Sequence, residues 1–341
     1  MLQKENFEKV LLDINRQNTN CLLDWIRKHY FYSVPASANK HNAEQGGLLK
    51  HSLEVCNEAF ALRKEWIDAD ASLAQYFPKE SVAIAALLHD LCKWNVYYVS
   101  PYDQKIKCNK DAKEEGHGMK SVMIIKDCGF ELTHEEELAI WWHMGYKHEP
   151  SFESHKADYA ESENIPLCRL IRNADYNATH LKERFENAIR GLNGYDTSRL
   201  IKYLEGSNFY STHSGSHHHY STGLVAHSLG TWRHMMKIAG CLDANEAAAV
   251  ALLHDIAMQN RSRKYTRHGS RSAKILDERL NFGLSIEALN AIRFHKKHSN
   301  PGAFEQKVHK TEIWKKLYES DHFDADHDIT DVYKHYVDEI F

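Results

Sequence analysis

The stretch Ala86-Leu87-Leu88-His89-Asp90 decides how the chain is read, because its words return at Ala251-Leu252-Leu253-His254-Asp255. Each copy is an apolar helical run that stops at a histidine beside an aspartate. The run before the first dyad, Val82 to Leu88, is apolar on nearly every face, so it belongs at the centre of a bundle. A carboxylate at the end of a buried helix needs a partner, since an unpaired buried charge is costly. A metal ion is one such partner and a salt bridge is the other.

Working outward, the repeat widens. Phe31-Tyr32-Ser33 answers to Phe209-Tyr210-Ser211, and Gly47-Leu48-Leu49-Lys50-His51-Ser52-Leu53 to Gly223-Leu224-Val225-Ala226-His227-Ser228-Leu229. His117-Gly118-Met119-Lys120-Ser121 answers to His268-Gly269-Ser270-Arg271-Ser272. Phe130 and Ala139-Ile140-Trp141-Trp142-His143 answer to Phe282 and Ala291-Ile292-Arg293-Phe294-His295, with equal spacing. Asp175 and Ala178 answer loosely to Asp321 and Ala325. Helix-bearing blocks keep their length while connections vary, as a duplicated fold requires. The expected domains are 1–195 and 196–341.

Every segment predicts helix and none predicts strand. Residues 1–30 repeat apolar positions at three- and four-residue spacing. A loop from Phe31 runs to Gly46-Gly47, which permit close chain approach before the helix that starts at Leu48. Tyr97 to Glu115 is polar, holds Pro101 and several lysines, and reads as a surface loop. Thr133-His134-Glu135-Glu136 fits a capping box. Trp141 and Trp142 read as core.

Composition sets limits. The 341 residues are 43% hydrophobic and 26% charged, with six prolines, which suits a folded globular protein over a disordered one. A net charge of −4 argues against a long nucleic-acid groove and leaves a small anionic substrate open. The seven cysteines form no Cys-x-x-Cys pair and read as reduced thiols of a cytoplasmic protein. The first residues lack a signal-peptide pattern, and no apolar run reaches the roughly 18 residues of a membrane span. Histidine, at 24 residues, is the outlier.

The ordered set His51, His89, Asp90, His117, His143, Asp175 recurs as His227, His254, Asp255, His268, His295, Asp321. Four imidazoles and two carboxylates suit iron, manganese, zinc, cobalt or nickel better than calcium or magnesium. Six ligands exceed the needs of one open catalytic ion and fit two ions about 3.5–4 Å apart under a bridging carboxylate. Adjacent helical residues project about 100° apart, so His89 and Asp90 can face one ion only near a helix end or a distortion. His134, His148, His155, His180, His234, His298, His309, His322, His327 and His335 read as solvated or capping residues. Asp321 competes with Asp324, Asp326 and Asp328, and His295 with His298.

This pattern resembles the HD-domain superfamily of metal-dependent phosphohydrolases in its six-ligand, two-metal form. The wording from Pro35-Ala36-Ser37 to His41 and from Gly46 to Leu53 is also similar to HD domains of certain bacterial and phage hydrolases and of bacterial 3′-to-5′ exoribonucleases. The resemblance implies an all-α fold of two tandem HD-type helical bundles related by internal duplication. It implies one ion on His51, His89, Asp90 and Asp175 and another on Asp90, His117 and His143. In the second half the sets are His227, His254, Asp255, Asp321 and Asp255, His268, His295. Asp90 and Lys93 would serve catalysis, Lys93 lying where many members hold a lysine near the phosphate. An ordinary surface lysine is the alternative. The corresponding residue is Met258, which leaves the second site's chemistry open, with Arg261, Arg263 and Lys264 as compensating cations. His41 and the cluster His217-His218-His219 stand near the two sites or in plain loops. The implied partner is a small phosphorylated substrate such as a nucleotide, or a short nucleic-acid end, with no membrane. A di-iron oxygenase and a non-catalytic nucleotide sensor on the same fold are the competing classes.

Overall fold

The computed structural model describes residues 2–39, 42–109, 111–112, 116–148, 152–212, 223–259, 267–296 and 301–326. His41, His217, His218, His219, Arg261, Arg263, Lys264, His298, His327, Asp328 and His335 lie outside them. The fold is all-α and divides into two units, which part between His180 and Leu181.

In the first unit, α1 (Leu2–Ile14) and α2 (Thr19–Lys28) cover one side of a core built on α3 (Gly47–Ala69) and α4 (Lys79–Leu88). Around these pack α5 (His117–Asp127), α6 (His134–Trp141), α7 (Lys156–Ser162) and α8 (Pro166–Thr179). Every residue of α4 from Ser81 to Leu88 is buried, as its unbroken apolar run requires. The first four turns of α3, Gly47 to Ala61, are buried as well, so His51 sits in the interior. α4 stops at Leu88, and the chain turns through His89 and Asp90 into a 3₁₀ turn at Leu91–Asn95. That termination releases adjacent residues from the 100° spacing of a continuing helix.

One local expectation fails. The stretch read as a surface loop contains an antiparallel hairpin, β1 (Tyr97–Val99) and β2 (Ile106–Cys108), with Tyr97 opposite Cys108. Aromatic and β-branched residues flank a turn at Pro101-Tyr102-Asp103-Gln104, which is a strand signal hidden by the lysines around it. Ser100 N–H donates to Lys105 O at 2.8 Å and closes the turn.

The capping box forms as expected. Thr133 Oγ1 accepts from Glu136 N–H at 3.2 Å, and Glu136 Oε2 accepts from Thr133 N–H at 2.9 Å. Arg16 then grips the buried Glu136 carboxylate through both guanidinium ends, fixing the α1–α2 turn to α6. Trp141 and Trp142 are buried.

The second unit holds α9 (Leu181–Arg190), α10 (Thr197–Glu205), α11 (Gly223–Ile238), α12 (Ala244–Leu253), α13 (His268–Lys274), α14 (Ile286–Arg293), α15 (Ala303–Val308) and α16 (Glu312–Asp326). Its start precedes the 195/196 boundary expected from sequence. The reason is packing: α9 lies on α11 and α12, Tyr195 stacks on Phe282 at 4.7 Å, and Asn245 exchanges two hydrogen bonds with the Asn193 backbone. α12 is apolar and buried from Ala247 onward, ends at Leu253, and passes through His254 and Asp255 into a 3₁₀ turn. α13 runs into a π turn at Ile275–Arg279. No helix among the described residues is long and apolar enough to cross a membrane, and all seven cysteines are free thiols.

Glu8 supplies a pH test of the first unit. Its carboxylate accepts from Arg27 at 3.0 and 2.8 Å and from the Tyr32 hydroxyl at 3.0 Å, joining α1, α2 and the following loop. The Arg27 bonds hold its pKa below the ordinary 4.5 despite partial burial. A depressed carboxyl stabilises the fold above 4.5, and the contribution disappears as pH falls below it. Acid unfolding curves of the wild type and Glu8→Gln should therefore differ above pH 4.5 and converge below it.

Candidate metal centres

In the first unit, α3, the α4 terminus and α8 bring their polar side chains to one buried point. His51 Nε2 lies 3.1 Å from His89 Nε2, 3.3 Å from Asp90 Oδ2 and 3.3 Å from Asp175 Oδ1. His143, just past α6, faces Asp90 Oδ1 through Nε2 at 3.5 Å. His117 opens α5 close enough to Asp90, Lys93 and His143 to feel their charges, and burial pulls its pKa down to about 4. His51, His89, Asp90, His143 and Asp175 thus meet, while His117 stands at the edge of the group.

Tautomers are set by the helix ends. His89 Nδ1–H donates to Ala86 O and His143 Nδ1–H to Ile140 O, each at 2.8 Å. These carbonyls belong to the last turns of α4 and α6, where no further helical N–H can reach them. With Nδ1 protonated, each ring presents its Nε2 lone pair to the carboxylates. The cluster then joins lone pairs to anions. Among the described residues, Asp90 Oδ1 and His143 Nε2 are buried and make no hydrogen bond. Asp90 Oδ1 and His143 Nε2 thus face each other as acceptor and lone pair, a pairing that a cation between them would satisfy. The field responds accordingly: burial opposes a charge on His51, but Asp175 and Asp90 outweigh it and raise the ring to about 9.

The second unit repeats these distances. His227 Nε2 lies 3.1 Å from His254 Nε2 and 3.2 Å from Asp321 Oδ1. Asp255 Oδ1 faces His268 Nε2 at 3.3 Å and His295 Nε2 at 3.4 Å. His254 and His295 donate from Nδ1 to Ala251 O and Ile292 O at 2.9 and 2.8 Å. Asp255 Oδ1 and Asp321 Oδ1 are buried and make no hydrogen bond. The triads His51–His89–Asp90, His89–His143–Asp175, His227–His254–Asp321 and His254–Asp255–His295 each gather their donor atoms within 4.8 Å, a spacing able to hold an ion. The nitrogen-and-carboxylate donor set fits a divalent transition metal.

Lys93 was expected from sequence; of two further participants, Lys296 was not foreseen and Asp324 stood only as a rival to Asp321. Lys93 Nζ pairs with Asp90 Oδ2 at 2.6 Å and is largely covered, so it is no ordinary surface lysine. Its counterpart Met258 is buried, yet the second cluster has its own ammonium: Lys296 Nζ pairs with Asp321 Oδ2 at 2.7 Å. The other is Asp324, whose Oδ2 accepts from His227 Nδ1–H at 2.6 Å and aims that ring. The only signals were Lys296's place beside His295 and the i, i+3 step from Asp321.

Residues 224–330 match the HD domain. That segment contains all six residues of the second cluster. Residues 29–98 match a different family, described as "Putative helicase", across His51, His89, Asp90 and Lys93. No curated protein and no solved structure matches the chain. The HD match therefore reaches the second unit alone. The segment matched in the first unit consists of helices and part of a hairpin around the first dyad, with no Gly-rich phosphate loop in its sequence.

The His-Gly pairs position the clusters. A Cβ on Gly118 would meet Trp141 O at 2.0 Å, and one on Gly269 would meet Ile292 O at 2.5 Å. Each glycine lets one helix start against the end of the helix whose carbonyl holds a histidine. Gly118→Ala and Gly269→Ala should each cost about 1–3 kcal/mol in denaturant unfolding. Gly191→Ala, whose Cβ meets only an ordinary contact at 3.4 Å, should stay within about 0.5 kcal/mol. Equal costs at the three positions would refute this role.

Proposed function

We propose that the protein is a metal-dependent phosphohydrolase acting on a nucleotide or another small phosphorylated substrate, including short nucleic-acid ends. In this reading two HD-type units, related by duplication, each hold a pair of divalent ions on the six residues named above. One observation carries it: at four helix ends an imidazole is locked with Nε2 turned toward buried aspartates, of which Asp90, Asp255 and Asp321 each keep an Oδ1 that makes no hydrogen bond. The HD match at 224–330 supports the same chemistry.

Bound there, such ions would polarise a phosphoryl oxygen and supply an activated water. The chain's own residues do the rest. Asp90 lies between the two histidine groups, held well below the ordinary carboxylate range against burial by Lys93 and His89, so it stays anionic. Lys93 is kept charged by Asp90 despite its burial, and it offers an ammonium to a phosphoryl oxygen at the rim of the cluster. His117, held neutral at pH 7, retains a free lone pair. Lys296 offers an ammonium beside Asp321 in the second unit, on the opposite carboxylate. Ammonium groups beside both clusters favour phosphate chemistry over oxygen activation.

Elemental analysis of protein refolded with manganese, iron, cobalt or nickel should find about four ions per chain, and about two after His89→Ala or His254→Ala. Phosphate release from nucleotides and short oligonucleotides should fall by roughly 10²-fold in Lys93→Ala with metal content unchanged. Lys296→Ala reports the second unit in the same way. Oxygen uptake with diols or phosphonates and no phosphate release would overturn the proposal.

A further inference from the structure

The loop before α3 and the turn and hairpin after the first dyad line a cavity of about 470 Å³ that the metal chemistry leaves unused. Four aromatic residues line it, Tyr30, Trp94, Tyr97 and Tyr98, together with the carboxamide residues Gln45, Asn95 and Gln104. Among the described residues, no charged side chain contributes to its lining. Its size is that of a small-molecule site, and its chemistry is that of a neutral, flat, hydrogen-bonding ring.

Its position ties it to both sides of the cluster. The wall at Ser33 and Val34 is fixed to the start of α3, since Gly46 N–H donates to Ser33 O and Leu48 N–H to Val34 O, both at 2.9 Å. His51 follows little more than one turn later. On the other side, Trp94 directly follows Lys93 in the 3₁₀ turn after Asp90. The hairpin supplies Tyr97 and Tyr98 and so gives the unexpected strands a use.

The aromatic wall is held in place in advance. Trp25 and His29 stack at 4.0 Å, and Trp94 stands nearly perpendicular to both, at 84° and 76°. A ring fixed this way loses little freedom on binding. Tyr30 and Tyr98 remain 72% and 44% exposed, leaving aromatic surface open to a ligand.

We infer that this cavity is a nucleobase site, holding the base of the substrate by stacking while its phosphate reaches Lys93; the placement of the phosphate rests on the function proposed above. Stacking on aromatic side chains contributes about 1–3 kcal/mol per base and tolerates any base. Each of the three carboxamides carries a donor and an acceptor for a base edge. A free nucleotide and the end of a single strand present the same base and phosphate.

Calorimetric titration of the chelator-treated full chain with adenosine, which has no phosphate, tests the site apart from the metals. Adenosine should bind saturably and ribose 5-phosphate should not compete. Replacing the exposed pair, Tyr98→Ala with Gln45→Ala, should weaken binding about tenfold or more. Trp94→Ala should do the same, and Trp94→Phe should restore most of the affinity. No saturable adenosine binding, or equal affinity in the double variant, overturns the inference even if phosphate release is intact. Adenosine binding in protein that releases no phosphate upholds the base site and removes only the proposed chemistry. With metal restored, AMP and a five-residue oligodeoxyadenylate separate the two sources: tighter AMP binding assigns a free nucleotide, and tighter oligonucleotide binding assigns a strand end.

Discussion

The hydrogen bond from a histidine Nδ1–H to a carbonyl in the last turn of a helix governs both clusters. A helix leaves its final carbonyls without partners and carries partial negative charge at that end. His89, His143, His254 and His295 each bond a carbonyl of such a last turn, Ile292 O also accepting backbone N–H groups, and each thereby presents a lone pair on the opposite nitrogen. One bond terminates the helix, selects the tautomer and orients the ring. It also sets four negative helix ends around the two points where positive charge is needed. The apolar helices α4 and α12 must be buried for their own reasons, and burial brings the carboxylates Asp90 and Asp255 out of water with them.

The two clusters share this frame and differ in how their surplus negative charge is answered. In the first unit the ammonium stands on the dyad aspartate, Asp90, and comes from the turn that follows it. In the second it stands on Asp321, reached by Lys296 from the end of α14. Asp324 adds a further acceptor behind His227, in a place where α11 and α16 approach closely at Gly230. Similar histidine geometry with differently placed cations would present a phosphorylated ligand with two distinct directions of approach.

Much of this was legible because it rests on local grammar. The dyads end apolar runs, the capping box spells out its own start, and the equal spacing from Phe130 to His143 and from Phe282 to His295 points to the two histidines that face the dyad aspartates. What stayed hidden depends on contacts between distant positions. Lys296 meets Asp321 only because α14 packs on α16, and nothing near Met258 announces the substitution. The hairpin was masked because its strands are three residues each, too short for alternation to stand out among lysines. The division at His180 is set by α9 packing forward onto α11 and α12, a preference its amphipathic pattern cannot express.

The distribution of the first cluster along the chain has a mechanical meaning. Its side chains come from α3, the ends of α4 and α6, the start of α5 and the interior of α8, so the point where they meet joins positions from His51 to Asp175. An ion accepted there would be a cross-link closing a loop of more than a hundred residues, and closing long loops removes the most entropy from the unfolded chain. Affinity for the ion and resistance to unfolding would then be one quantity measured in two ways.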